Sequence, residues 1–94
     1  MNSDARIENN RWYLYIAESK SGKYYVGISN DVERRIESHN RGTGSQLAKF
    51  DGPFVLKFCS EALENRSEAS KIEYHVKRWP RAKKEKLVQG FIAL

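Results

Sequence analysis

A chain of 94 residues can bury enough apolar surface for one hydrophobic core but not two, so a second domain is excluded and all functional groups must share one compact site. Hydrophobic residues make up 39% and charged residues 31%, with no low-complexity tract, which excludes a disordered chain; seventeen Lys and Arg against twelve Asp and Glu leave a net charge of +5, which favours polyanionic partners and equally suits a plain soluble surface. Cys59 is the single cysteine, which excludes an internal disulfide, a CxxC redox pair and a zinc knuckle, and a polar N-terminus with no long apolar run gives no sign of a signal peptide or membrane span, so a cytoplasmic protein is expected.

In chain order, residues 1–10 are expected to form a flexible tail ahead of a single domain over 11–94. The runs WYLYIA and YYVGI, rich in aromatic and β-favouring residues, flank the turn-forming SKSGK, which predicts a hairpin with a loop of about five residues. Alternation puts Leu14 and Ile16 on one face with Tyr24, Val26 and Ile28, and Tyr13, Tyr15, Tyr25 and Gly27 on the other. Asn30-Asp31-Val32-Glu33 reads as a capping box with Asn30 as N-cap, opening a helix to about Asn40 that Gly42 ends.

The stretch RGTGSQLAKFDGP reads as a loop and FVLKFC as a third strand, in which Cys59 is expected as a small core residue rather than a nucleophile. A second box, Asn65-Arg66-Ser67-Glu68, opens a helix whose apolar positions Ala69, Ile72, Val76 and Trp79 fall at i, i+3, i+7 and i+10. Pro80 interrupts it and starts a third helix, with proline in its first turn, running to Gly90. The order β, β, α, β, α, α predicts an α+β fold, a short, mostly antiparallel sheet of three strands flanked by helices.

The first helix breaks the apolar pattern. Its stripe of Val32, Arg35, Ile36 and His39 puts a guanidinium and an imidazole on the inward face. A buried, unpaired Arg costs several kcal/mol (roughly 3–5), so it needs an anion. That anion is either a protein carboxylate, with Glu73 the natural partner in a core salt bridge, or a ligand phosphate. Tyr15 and Tyr25 on one sheet face, with Arg35, His39 and Glu73, supply the groups that phosphodiester hydrolysis uses. A carboxylate is a hard ligand for Mg²⁺ or Mn²⁺, an arginine neutralises charge on the phosphorane, and a phenol can orient or deprotonate water. Against this stands packing, the commoner use of strand aromatics.

These residues also match a known pattern. Tyr13-Leu14-Tyr15, then Tyr25-Val26-Gly27 with Tyr25 ten residues after Tyr15, Arg35 eight after Gly27, His39 one turn later, and Glu73 within SEASKIEYHVKRW together resemble the GIY-YIG nucleases, in particular their small stand-alone YhbQ-like branch. The resemblance runs from Trp12 to about Val88. It implies a three-stranded antiparallel sheet with flanking helices and a DNA endonuclease using one Mg²⁺ or Mn²⁺ ion. The roles it implies are Glu73 as metal ligand, Arg35 as the phosphate-binding and transition-state group, Tyr15 and Tyr25 as the pair from which the water-activating base comes, with Tyr15 favoured and Tyr25 positioning it, Gly27 as the gap for substrate approach, and His39 holding a tyrosine or the scissile phosphate.

The chain departs from that pattern at three places. The lysine some members carry after the second half-motif is Ile28; the loop run of the branch is replaced by Gln46-Leu47-Ala48-Lys49; and the asparagine that several members place beside the metal has no clear counterpart. Lys49, Lys77, Arg78, Arg81, Lys83 and Lys84 are the candidate nucleic-acid contacts. Lys77, Arg78, Arg81, Lys83 and Lys84, with Lys71 and Lys86, would also serve a rival, a non-cleaving nucleic-acid-binding module, and Glu85 among them also permits an ordinary solvated helix face.

Overall fold

The computed structural model describes residues 11–41 and 51–94. The expected tail over 1–10, the helix stop at Gly42 and the loop containing Lys49 lie outside the described residues.

Strand β1 (Tyr13–Glu18) is central and pairs antiparallel with both β2 (Tyr24–Ser29) and β3 (Val55–Cys59), giving the order β2-β1-β3. The register sets Tyr15 opposite Gly27 and Ala17 opposite Tyr25, so these four share one face, as the alternation of the sequence requires. Pairing with β3 shifts between Ile16 and Ala17, where Lys57 is the extra residue. The hairpin turn is held from a distant segment: the Asp51 carboxylate accepts from the Ser21 backbone N–H at 3.0 Å and from its hydroxyl at 2.8 Å. These bonds, from the Ser19 and Ser21 side chains first, hold the Asp51 carboxyl below the usual carboxylate range.

Helix α1 (Val32–Asn40) covers the Tyr15 face, where Val32 and Phe54 join Tyr15 and Ala17 in a buried cluster edged by Tyr13, Tyr25 and Ile36. Its N-cap is Asp31, not Asn30: the Asp31 carboxylate accepts from the Arg34 backbone N–H at 3.3 Å, while the Ser29 hydroxyl accepts from the Asp31 N–H. The end of β2 thus holds Asp31 where the first turn needs its acceptor, so the cap moves one residue on and Arg34 stands where the expected box has its glutamate. At its other end Asn40 is pinned to Phe54, giving an amide hydrogen to the Phe54 carbonyl at 3.0 Å and accepting its N–H at 2.6 Å.

Helix α2 (Arg66–Lys77) packs on β1 and β2. Asn65 caps it as the sequence predicts, accepting from the Glu68 N–H at 2.9 Å. Ala69 and Val76 are buried with Leu14 and Ile16, the last two with no exposed surface. Truncating a leucine such as Leu14 to alanine removes that burial and leaves a cavity, a loss of about 2–5 kcal/mol. Helix α3 (Arg81–Gln89) rests on β3, with Pro80 as its N-cap rather than inside its first turn, and closes at Gly90 in the left-handed region. Cys59 is exposed, against expectation, because β3 is an edge strand with most of its residues open to solvent. Among the described residues, no helix is long and apolar enough to cross a membrane.

Candidate functional site

Tyr15 leaves the central strand and lays its ring over Gly27 on the neighbouring strand. A Cβ added at Gly27 would lie 2.6 Å from both Cζ and the phenol oxygen of Tyr15. The glycine therefore makes room for the protein's own phenol. Crossing Gly27 brings the Tyr15 ring, itself 6% exposed, toward the β2 edge of the sheet.

At that edge lies an open cavity of about 390 Å³. Both faces of β2 contribute to it, through Gly27 on one side and Val26 and Ile28 on the other, and α1 contributes Arg35. Helix α2 contributes Arg66, Ser70 and Glu73, which fall at i, i+4 and i+7 on one helical face. Three of the expected groups, Tyr15, Arg35 and Glu73, thus meet at one solvent-accessible place.

The charges of Arg35 and Glu73 are not paired with one another. The core salt bridge between Arg35 and Glu73 does not form: Arg35 is exposed, not turned inward, and has no ion-pair partner among the described residues, while Glu73 pairs with Lys77 at 3.2 Å. The inward stripe of α1 narrows to Val32 with half-buried Ile36 and His39, and Arg35 falls on the open side of the helix. Burial pushes the Tyr15 phenol above its ordinary value; Arg35 opposes the rise and Glu73 adds to it. The phenol alone keeps its proton at neutral pH.

Tyr25 and His39 lie next door rather than at the same point. They line a second cavity of about 160 Å³ with Ala17, Ile36 and Phe54, and Tyr15 and Val26 form the wall the two cavities share. Phe54 meets the Tyr25 ring edge-on at 5.3 Å and the His39 ring at 6.0 Å. The Nδ1 of His39 is buried without a hydrogen-bond partner. Burial first and Arg35 second hold the imidazole below its usual range, so it is neutral near pH 7. The five-group convergence foreseen from sequence therefore divides in two, because Tyr25 pairs with Ala17 and not with the strand position beside Glu73.

The candidate nucleic-acid contacts among the described residues are engaged with the protein itself. Arg81 stacks over Tyr24 at 3.9 Å, donates to the Gly22 carbonyl and pairs with Glu18 and Glu85. Arg78 lies over Tyr74 at 4.3 Å and Lys83 over Trp79 at 4.1 Å, while Lys84 reaches the Lys77 carbonyl. Arg66 is the site residue that sequence reasoning missed. Its signal is the i, i+4, i+7 row of Arg66, Ser70 and Glu73, which the stronger apolar stripe of the same helix obscures.

A divalent ion at this place would have Glu73 as its protein carboxylate; among the described residues no group of three His, Cys, Asp or Glu gathers around any point. One carboxylate in an open, polar cavity suits an ion of the Mg²⁺ kind, which keeps several waters and takes its other ligands from substrate phosphate.

Comparison with known proteins identifies the family of the chain. Residues 11–86 match the GIY-YIG catalytic domain. The chain is 44% identical to a UPF0213 protein of Vibrio campbellii over 79 residues, covering 84% of this chain and 75% of that one. It is 42% identical to a UPF0213 protein of Photorhabdus laumondii over 82 residues, covering 87% and 78%. The solution NMR structure of a UPF0213 protein of Bacillus halodurans superposes with a TM-score of 0.53 at 42% identity, covering 84% of this chain and 83% of that one. With a family match across most of its length and relatives above 40% identity, the chain belongs to the GIY-YIG nuclease superfamily.

Proposed function

We propose that residues 11–94 act as one domain that hydrolyses a phosphodiester bond of DNA with one bound Mg²⁺ or Mn²⁺ ion. The observation that carries this reading is the single open cavity at the β2 edge lined by Tyr15, Arg35 and Glu73. Glu73 holds the ion, which when bound polarises the phosphate oxygens. Arg35, exposed and free of protein carboxylates among the described residues, binds the phosphate and neutralises the charge that builds as a water oxygen bonds to phosphorus. Tyr15 accepts the hydrogen bond of that water and orients it. To take its proton the phenol must be lowered against burial, and Arg35 is the chain's own group acting in that direction. The P–O bond to the leaving oxygen then breaks, giving a phosphomonoester and a hydroxyl. Tyr25 and neutral His39 support the Tyr15 ring from the second cavity. The lone cysteine and the lack of a membrane-spanning helix among the described residues support a cytoplasmic place for this activity.

The test is incubation with single-stranded, duplex and branched DNA, and with RNA, in Mg²⁺, in Mn²⁺ and in EDTA. Metal-dependent cutting of DNA that disappears in Glu73→Ala while binding survives is the expected result. Arg35→Ala should slow cutting roughly a hundredfold or more, as loss of other preorganised charge stabilisers does. Salt-sensitive binding with no cutting in either metal would overturn the reading in favour of a non-cleaving module.

A further inference from the structure

The geometry points to a second phosphate subsite beside the first, built by Arg66 on the Trp12 ring with Ser70 one turn along, that holds the backbone phosphate adjacent to the scissile one. It rests on the nuclease reading for the identity of its ligand.

Arg41 pairs with Glu37, Arg78 lies over Tyr74, and Arg81 is tied to Glu18, Glu85 and the Gly22 carbonyl. Arg35 and Arg66 both line the polar cavity, and neither has a carboxylate partner among the described residues. Glu73, the acid in that cavity, is already paired with Lys77. Two uncompensated guanidiniums facing one space repel each other, and an anion between or beside them relieves the repulsion.

Arg66 is also preorganised. Its guanidinium carbon sits 5.2 Å from the centroid of the Trp12 ring, and Trp12 is fixed by a bridge to Leu63, whose N–H donates to the Trp12 carbonyl at 2.8 Å. A guanidinium lying on an aromatic face keeps its N–H donors at the edge of its plane, where a phosphate can take two of them. Ser70 adds a hydroxyl on the same helical face. The three cavity residues of α2 run in order from Arg66 at its first residue to Glu73 nearer its end, so the anion at Arg66 lies displaced along the helix from the phosphate at Glu73. Successive phosphates of one strand satisfy both places.

Two arms test this. In EDTA, where nothing is cut, a labelled DNA oligonucleotide should bind Arg66→Ala about tenfold more weakly than the unaltered protein, with the salt slope smaller by about one. Arg66→Lys keeps the charge without the planar fork and should fall between them; it carries the same test should the alanine variant fail to fold. With Mg²⁺, replacing single phosphates by neutral methylphosphonates should reveal one position adjacent to the cut that slows the unaltered protein and adds nothing in Arg66→Ala. Unchanged affinity and salt slope in both variants would overturn the subsite. Equal sensitivity to that methylphosphonate with and without Arg66 would overturn the assignment to the adjacent phosphate. A protein that binds but never cuts would refute the nuclease reading and leave the EDTA arm decisive for the subsite.

Discussion

Gly27 and Tyr15 act as one unit, since a side chain on the first removes the place of the second. Gly27→Ala forces either the Tyr15 ring out of the shared wall or the two strands apart, a strain of about 1–3 kcal/mol. We expect a lower melting temperature and at least tenfold slower cutting, with the Tyr15 ring resonances moved in NMR spectra; unchanged resonances and full activity would dissociate the pair. His39 makes a separate, pH-linked contribution. Its folded value lies below the ordinary 6.5, so on acidification the unfolded chain takes up the proton first. Stability from the neutral imidazole is complete above that ordinary value and is lost as pH falls through the folded one. Urea denaturation at about pH 8 and about pH 5 should show a smaller stability difference in His39→Leu than in the unaltered protein. An identical difference in both would mean that His39 is indifferent to protonation.

Among the elements, α3 shows how a basic run can be structural. Arg81, at its first residue, reaches the Gly22 carbonyl and Glu18 of the hairpin and lies on Tyr24, fastening α3 to the β1–β2 end of the sheet. The ion pairs are half-exposed and contribute little each, and the stacked ring adds roughly 0.5–1 kcal/mol. Arg81→Ala should therefore lower stability by about 1–2 kcal/mol in urea denaturation while changing DNA affinity far less than Arg35→Ala. Comparable losses of affinity would return Arg81 to the binding surface. The run of charges in the sequence does not distinguish these roles, because its partners Gly22 and Tyr24 sit in a distant hairpin. Capping shows the same division: Asn65 is correctly placed by local spacing, whereas Asp31 displaces Asn30 because Ser29 at the strand end engages the Asp31 N–H.

For the molecule as a whole, the aliphatic core of Leu14, Ile16, Ala69 and Val76 and the polar cavity are separate structures, and among the described residues no metal cluster supports the fold. EDTA should abolish cutting and leave the melting temperature unchanged; a fall on chelation would reveal a structural ion. By itself the sequence determined the six elements found among the described residues and the faces of the hairpin, because periods of two and 3.6 residues are properties of the local backbone. It also carried Tyr15, Arg35 and Glu73, through a spacing that matches a known family. Only the tertiary structure decided that Tyr15 crosses Gly27, that Tyr25 and His39 stand in a second cavity, that Cys59 is exposed and that Arg66 enters the site. Those outcomes depend on which strand lies at the sheet edge and how two helices meet there, and packing between segments distant in the chain leaves no period for a sequence to display.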